Sequence, residues 1–143
     1  MFHLHARASD GSPSCDREVF GELVAQVRQR VPDAIIVTTT GGRRAPEVEQ
    51  RAASLMLEGE QKPDMASLTL ASLNFSAEAS ISAPSTVLRL ASIMKEREIR
   101  PELEVFDLGM VNFAKVLIDK DLIKPPFYFN ILLGNVASAQ ASL

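Results

Sequence analysis

Two histidines separated by one residue open the chain, in Met1-Phe2-His3-Leu4-His5-Ala6-Arg7. Alternate side chains of an extended strand share a face, so His3 and His5 point one way and Phe2, Leu4 and Ala6 the other. Two imidazoles on one face can hold two corners of a metal ion such as zinc, as neutral nitrogen ligands. The same spacing also describes an ordinary pair of polar strand residues, and spacing alone leaves both readings open. A second candidate is Thr39-Thr40-Gly41-Gly42, where hydroxyls and close backbone N–H groups can meet a carboxylate. These threonines also read as β-branched strand residues ahead of a turn. A third is Glu102-Leu103-Glu104, with both carboxylates on one strand face beside Phe106. Such a pair can move protons or orient a cation-bound group, or form an ion pair at a solvated strand end. Arg7 can meet an anion bidentately or lie on the surface. Cys15, beside a helix start, reads as structural, and Met94, Met110 and the phenylalanines read as core.

The elements that must carry these residues alternate. Strands are expected to begin near positions 2, 34, 65, 102 and 127, each pair separated by a helical pattern. After the first strand, Ser14 or Asp16 can cap a helix whose apolar stripe is Phe20, Leu23, Val24, Val27 and Val31. Ala34 to Thr39 reads as a strand buried on both faces, followed by a helix over roughly Pro46 to Leu57. Met65 to Leu70 is the third strand, with a largely polar loop from Ser72 to Ser80 and a helix from about Pro84 to Glu98. Glu102 to Asp107 is the fourth strand and Met110 to Lys120 the next helix. Phe127 to Leu133 is the fifth strand, and the tail Asn135 to Leu143 reads as the start of another loop or helix. This β-α-β order demands a mainly parallel sheet with right-handed crossovers. An open flavodoxin-like sheet suits the length, whereas a (β/α)8 barrel of about 250 residues would be represented by only five of its strands.

Composition narrows the function classes. The 143 residues fit one domain, and 46% hydrophobic content is enough for a core. A net charge of -3 and 6% aromatics offer neither a basic stripe nor a stacking platform, so no nucleic acid is expected. No apolar run is long enough for a membrane span, and no signal peptide is visible. The single cysteine excludes an internal disulfide and fits a reducing compartment, so a cytoplasmic protein is expected. The first strand follows Met1 at once, which suggests that an upstream unit is missing.

An ordered set of motifs points further. His3-Leu4-His5-Ala6-Arg7, Asp10-Gly11, Thr39-Thr40-Gly41-Gly42, Ala66-Ser67-Leu68 with Asn74-Phe75, Pro101 through Gly109, and Leu122 through Pro126 follow one another along the whole chain. Together they resemble the beta-keto acid cleavage enzymes, the 3-keto-5-aminohexanoate cleavage enzyme among them. The resemblance implies a zinc-dependent (β/α)8 TIM barrel. Its reaction joins a beta-keto acid with acetyl-CoA and yields acetoacetate and a new acyl-CoA. By this likeness the chain is a partial barrel, about strands 2 to 6 with their helices: a single incomplete segment over 1–143, and an inactive or partial fragment.

The resemblance also implies roles. His3 and His5 match the zinc-ligand histidines. Thr39 stands where the family usually has serine, and its turn with Thr40, Gly41 and Gly42 would bind the substrate carboxylate. Ser67 and Thr69 match strand positions lining the keto-acid pocket, with Thr69 in place of a common asparagine and Ala71 in place of a common glycine. Glu104 matches an acidic residue of the pocket and is the catalytic candidate. Met110 occupies a position where histidine is frequent. A third zinc ligand, a late-strand glutamate, would lie beyond Leu143, as would an accompanying arginine and aspartate; an upstream glutamate would precede Met1. A homo-oligomer is expected of the full-length protein. The competing reading is a metal-free α/β module that holds a small anion at Thr39 to Gly42.

Overall fold

The computed structural model describes residues 1–43 and 45–142. Five strands form one parallel sheet: β1 (Phe2–Leu4), β2 (Ile36–Thr38), β3 (Met65–Thr69), β6 (Arg100–Val105) and β7 (Tyr128–Ile131). A two-strand hairpin, β4 (Leu73–Asn74) and β5 (Ala79–Ser80), lies between β3 and β6 in sequence. The helices are α1 (Arg17–Arg30), the single turn α2 (Val48–Arg51), α3 (Pro84–Glu96) and α4 (Leu108–Asp119).

The strand order is the chain order, β1-β2-β3-β6-β7. A flavodoxin-like sheet reverses direction at a switch point, which puts helices on both faces. No reversal occurs here. Right-handed crossovers then carry every helix to one face, the arrangement of a barrel wall. The burial pattern agrees. Ala66, Leu68 and Leu103 are fully buried on the helix side against residues of α3 and α4 such as Leu90, Met94 and Leu117. Burying each leucine contributes about 2 kcal/mol.

The other face curls in on itself. His3 on β1 and Glu102 on β6 approach to 2.8 Å, although two strands intervene. In a flat sheet, three strand spacings would hold their backbones roughly 14 Å apart. The sheet is therefore an arc concave toward these residues: a partial (β/α)8 barrel rather than an open sheet.

Local chemistry explains most element ends. Asp16 caps α1, accepting from the Glu18 N–H at 2.7 Å, and Asp107 caps α4, accepting from the Met110 N–H at 3.0 Å. Pro84 occupies the first turn of α3, where a missing N–H is harmless. Two expectations need correction. The helix expected over Pro46 to Leu57 is a four-residue turn followed by 3-10 turns at Ala53–Met56 and Gly59–Gln61. Arg51 and Ser54 are both pulled inward by polar partners, so tertiary hydrogen bonds displace the regular α-helical ladder. The segment expected to be a polar loop at Ser72 to Ser80 holds the β4–β5 hairpin, with Leu73 buried and Phe75 half-buried. In the tail, Leu143 lies outside the described residues, and no helix forms among the rest.

Candidate metal and substrate site

The concave face collects the polar residues. Register places His3 beside Val37, Ser67 beside Glu102, and Thr69 beside Glu104, all on the side away from the helices. His3 and His5 stack in parallel, with ring centroids 5.0 Å apart and planes 8° apart. Strand alternation thus brings the two imidazoles together as their spacing implies.

Glu102, read from the sequence as half of a carboxylate pair, has no role assigned by the resemblance. It is 2% exposed. Its Oε1 accepts from the Asn130 side-chain amide at 3.0 Å. Its Oε2 lies 2.8 Å from His3 Nδ1, an ion pair when that imidazole is protonated, and among the described residues no other group meets that oxygen. A buried carboxylate oxygen served by one imidazole alone favours a facing cation. His3, Glu102 and Glu104 each present a ligand atom within 4.8 Å of the others. One imidazole and two carboxylates suit a divalent cation. His5 is outside that trio but stacked against its histidine.

The charges are interlocked. Contact with the Glu102 carboxylate, opposed by burial, raises the pKa of His3 above its ordinary value. Burial, helped by the neighbouring His3 and the Arg43 and Arg7 cations, lowers that of His5. Burial raises Glu104, against the hydrogen bond that Thr69 Oγ1 donates to its Oε2 at 2.6 Å. His3 is therefore biased to carry a proton, His5 to stay neutral, and the Glu104 carboxyl to hold a proton.

The Thr-Thr-Gly-Gly turn divides its labour. Thr40 is buried; its hydroxyl donates to the Ser67 carbonyl at 2.5 Å and its N–H to Ser67 Oγ at 3.2 Å, pinning the end of β2 to β3. Thr39 is half-buried, and its hydroxyl accepts the Gly41 N–H at 3.1 Å. Gly42 is the tight position: a Cβ there would fall 2.7 Å from Arg51 Nη1 and 3.0 Å from the Ile81 carbonyl. The buried Arg51 holds the turn from below, donating to the carbonyls of Thr40 and Ile81 at 2.8 and 2.9 Å and to Ser82 Oγ at 3.1 Å. Only the combination of glycine pair, Ser-rich loop and a downstream arginine hinted at this cradle. A cavity of about 520 Å³ opens beside the turn, lined by His5, Arg7, Thr39, Gly41 and Arg43 among others. Its size suits a small organic ligand.

Comparison with known proteins fits this geometry. Over 78 residues the chain is 37% identical to the 3-keto-5-aminohexanoate cleavage enzyme of Acetoanaerobium sticklandii, a stretch covering 54% of this chain and 27% of that enzyme. Over 84 residues it is 34% identical to the 3-oxoadipate:acetyl-CoA acetyltransferase of Cupriavidus necator, covering 59% of this chain and 28% of that one. The solved binary complex of ObcA with oxaloacetate superposes with a TM-score of 0.82 at 23% identity, over 94% of this chain and 33% of that chain. The chain thus matches about a quarter to a third of the length of these proteins. The family model for the beta-keto acid cleavage enzyme matches residues 1–143. Motif order, barrel arc and a match running from end to end agree, and the chain belongs to the beta-keto acid cleavage enzyme family.

Proposed function

We propose that the protein takes part in zinc-dependent cleavage of a beta-keto acid with acetyl-CoA. The CH2–COO⁻ unit leaves the acyl carbon of the keto acid and joins the acetyl carbon, giving acetoacetate, while the CoA sulfur takes the acyl group that remains. The observation that carries this reading is the convergence of His3, Glu102 and Glu104 within 4.8 Å on the concave face of a family barrel. His3 and His5 are the proposed zinc-ligand pair, with the buried Glu102 Oε2 against His3. When bound, zinc supplies Lewis-acid polarisation of the ketone oxygen.

This chain's residues supply the rest. The Thr39 hydroxyl, whose oxygen accepts the Gly41 N–H, donates to the substrate carboxylate, and Thr40, Gly42 and Ser67 hold that turn in place. Glu104, kept poised by burial and by Thr69, accepts and returns a proton at Oε1, since Oε2 is occupied by the threonine hydroxyl. The intact protein is a cytoplasmic homo-oligomer in this reading. Two measurements test it: metal content by mass spectrometry, and acetoacetate formation from acetyl-CoA with a panel of beta-keto acids. Stoichiometric zinc that is lost in a His3→Ala/His5→Ala variant is expected, with activity reduced at least about a hundredfold in Glu104→Gln. Full activity of the intact protein without bound metal would refute the zinc assignment, whereas anion binding with neither bound metal nor acetoacetate formation would favour the anion-binding module.

A further inference from the structure

β7 supplies no residue to the chemistry proposed above, yet one of its side chains reaches the site. The run Phe127-Tyr128-Phe129-Asn130-Ile131-Leu132-Leu133 is apolar apart from the tyrosine hydroxyl and a single amide, that of Asn130. An amide in such a strand costs stability unless a partner meets it. Parallel register sets Asn130 beside Glu104, and register neighbours share a face, so the amide points to the concave side while Phe129 and Ile131 point outward. Its partner is nevertheless the other carboxylate of β6. Asn130 Nδ2 donates to Glu102 Oε1 at 3.0 Å. An ionised carboxylate only accepts, so the amide must present its nitrogen there.

The two acidic side chains of the site are thus tethered alike. The Thr69 hydroxyl occupies Glu104 Oε2 at 2.6 Å, and the Asn130 amide occupies Glu102 Oε1. Each glutamate keeps its other oxygen for the site. For Glu102 that oxygen is Oε2, 2.8 Å from His3 Nδ1. The terminal torsion of a glutamate is broad and its two oxygens are equivalent, so the side chain by itself does not fix which way the carboxylate is turned. A donor on the neighbouring strand does. Glu102 is almost wholly buried, and among the described residues nothing else donates to Oε1.

We propose that Asn130 is a positioning residue: it fixes the plane of the Glu102 carboxylate so that Oε2 is the oxygen offered to His3 and to the cation that His3 serves. The proposal rests on the zinc reading above and adds the residue of β7 that organises that site. Two variants of the intact protein test it. Asn130→Leu removes the donor. Asn130→Ser, too short to reach Glu102, lets water meet the freed oxygen and is the gentler change. With circular dichroism verifying the fold, zinc affinity is read by competition with a chromophoric chelator. Cobalt(II) is then substituted so that its visible absorption reports the ligand field. Both variants are expected to weaken zinc by about tenfold or more and to shift the cobalt bands, as loss of a hydrogen bond that orients the groups around a metal does. A residue that merely braces β7 would lower the unfolding midpoint and leave zinc affinity and the cobalt spectrum as in the parent. That result overturns the proposal. A parent protein that binds neither metal overturns the zinc reading and this proposal together, whereas a zinc-binding parent with indifferent variants overturns this one alone.

Discussion

His3 and His5 differ in charge preference although they stack ring on ring. The metal-free protein should show this directly. Imidazole titrations followed by NMR are expected to place the His3 midpoint above 6.5 and the His5 midpoint below it. Glu102→Gln should bring His3 down, because its largest raising influence is contact with that carboxylate. The consequences for stability have opposite signs. His3 binds its proton more tightly folded than unfolded, so its contribution is full below pH 6.5 and fades as pH rises through its folded midpoint. His5 binds less tightly folded, so its contribution is full above pH 6.5 and is lost as pH falls toward its folded midpoint. Equal midpoints for the two rings would mean that the Glu102 contact is not made in solution. Much of this was legible in the chain itself. Alternation alone puts His3 with His5 and Glu102 with Glu104; what it leaves hidden is that β1 and β6 meet, because only the curl of the sheet brings them together.

At the scale of elements, the turn after β2 depends on what lies beneath it. Gly42→Ala would drive a methyl group against the hydrogen-bonded Arg51 guanidinium and the Ile81 backbone. A loss of about 1–3 kcal/mol is expected in denaturant unfolding. Arg51→Met should be at least as harmful, about 3 kcal/mol, since it strands the buried carbonyl of Thr40 and the hydroxyl of Ser82. If both variants unfold like the parent, the arginine cradle does not organise the turn. These contacts also explain where sequence reading fell short. Residues 46–57 have ordinary helical propensity, but buried Arg51 and the bond from Ser54 to Thr38 at 3.0 Å lie three residues apart and favour the tighter 3-10 winding. The β4–β5 hairpin escaped because two-residue strands carry too few alternations to register as a pattern. The long helices α1, α3 and α4, with sustained apolar stripes, were legible throughout.

Over the whole molecule, the wall ends in open edges. Among the described residues β1 and β7 each pair on one side only, and Phe129 and Ile131 on the outer side of β7 are 39% and 66% exposed. Unpaired strand edges with apolar surface invite association. The 143-residue chain by itself should self-associate in light scattering, and Ile131→Lys should reduce this. A monodisperse monomer would contradict it. The choice between open sheet and barrel was legible only through the family motifs, because length alone favours the open sheet and strand order is not written in any one segment.

The 2.8 Å approach of His3 to Glu102 has a mechanical consequence. It is a chord drawn across the arc, so the distance between first and fourth strands is set by whatever sits at its two ends. A cation held by both ends would stand between them and replace the direct contact with a bridged one. Ligation and curvature are then coupled, and a substitution that removes either end should weaken both at once.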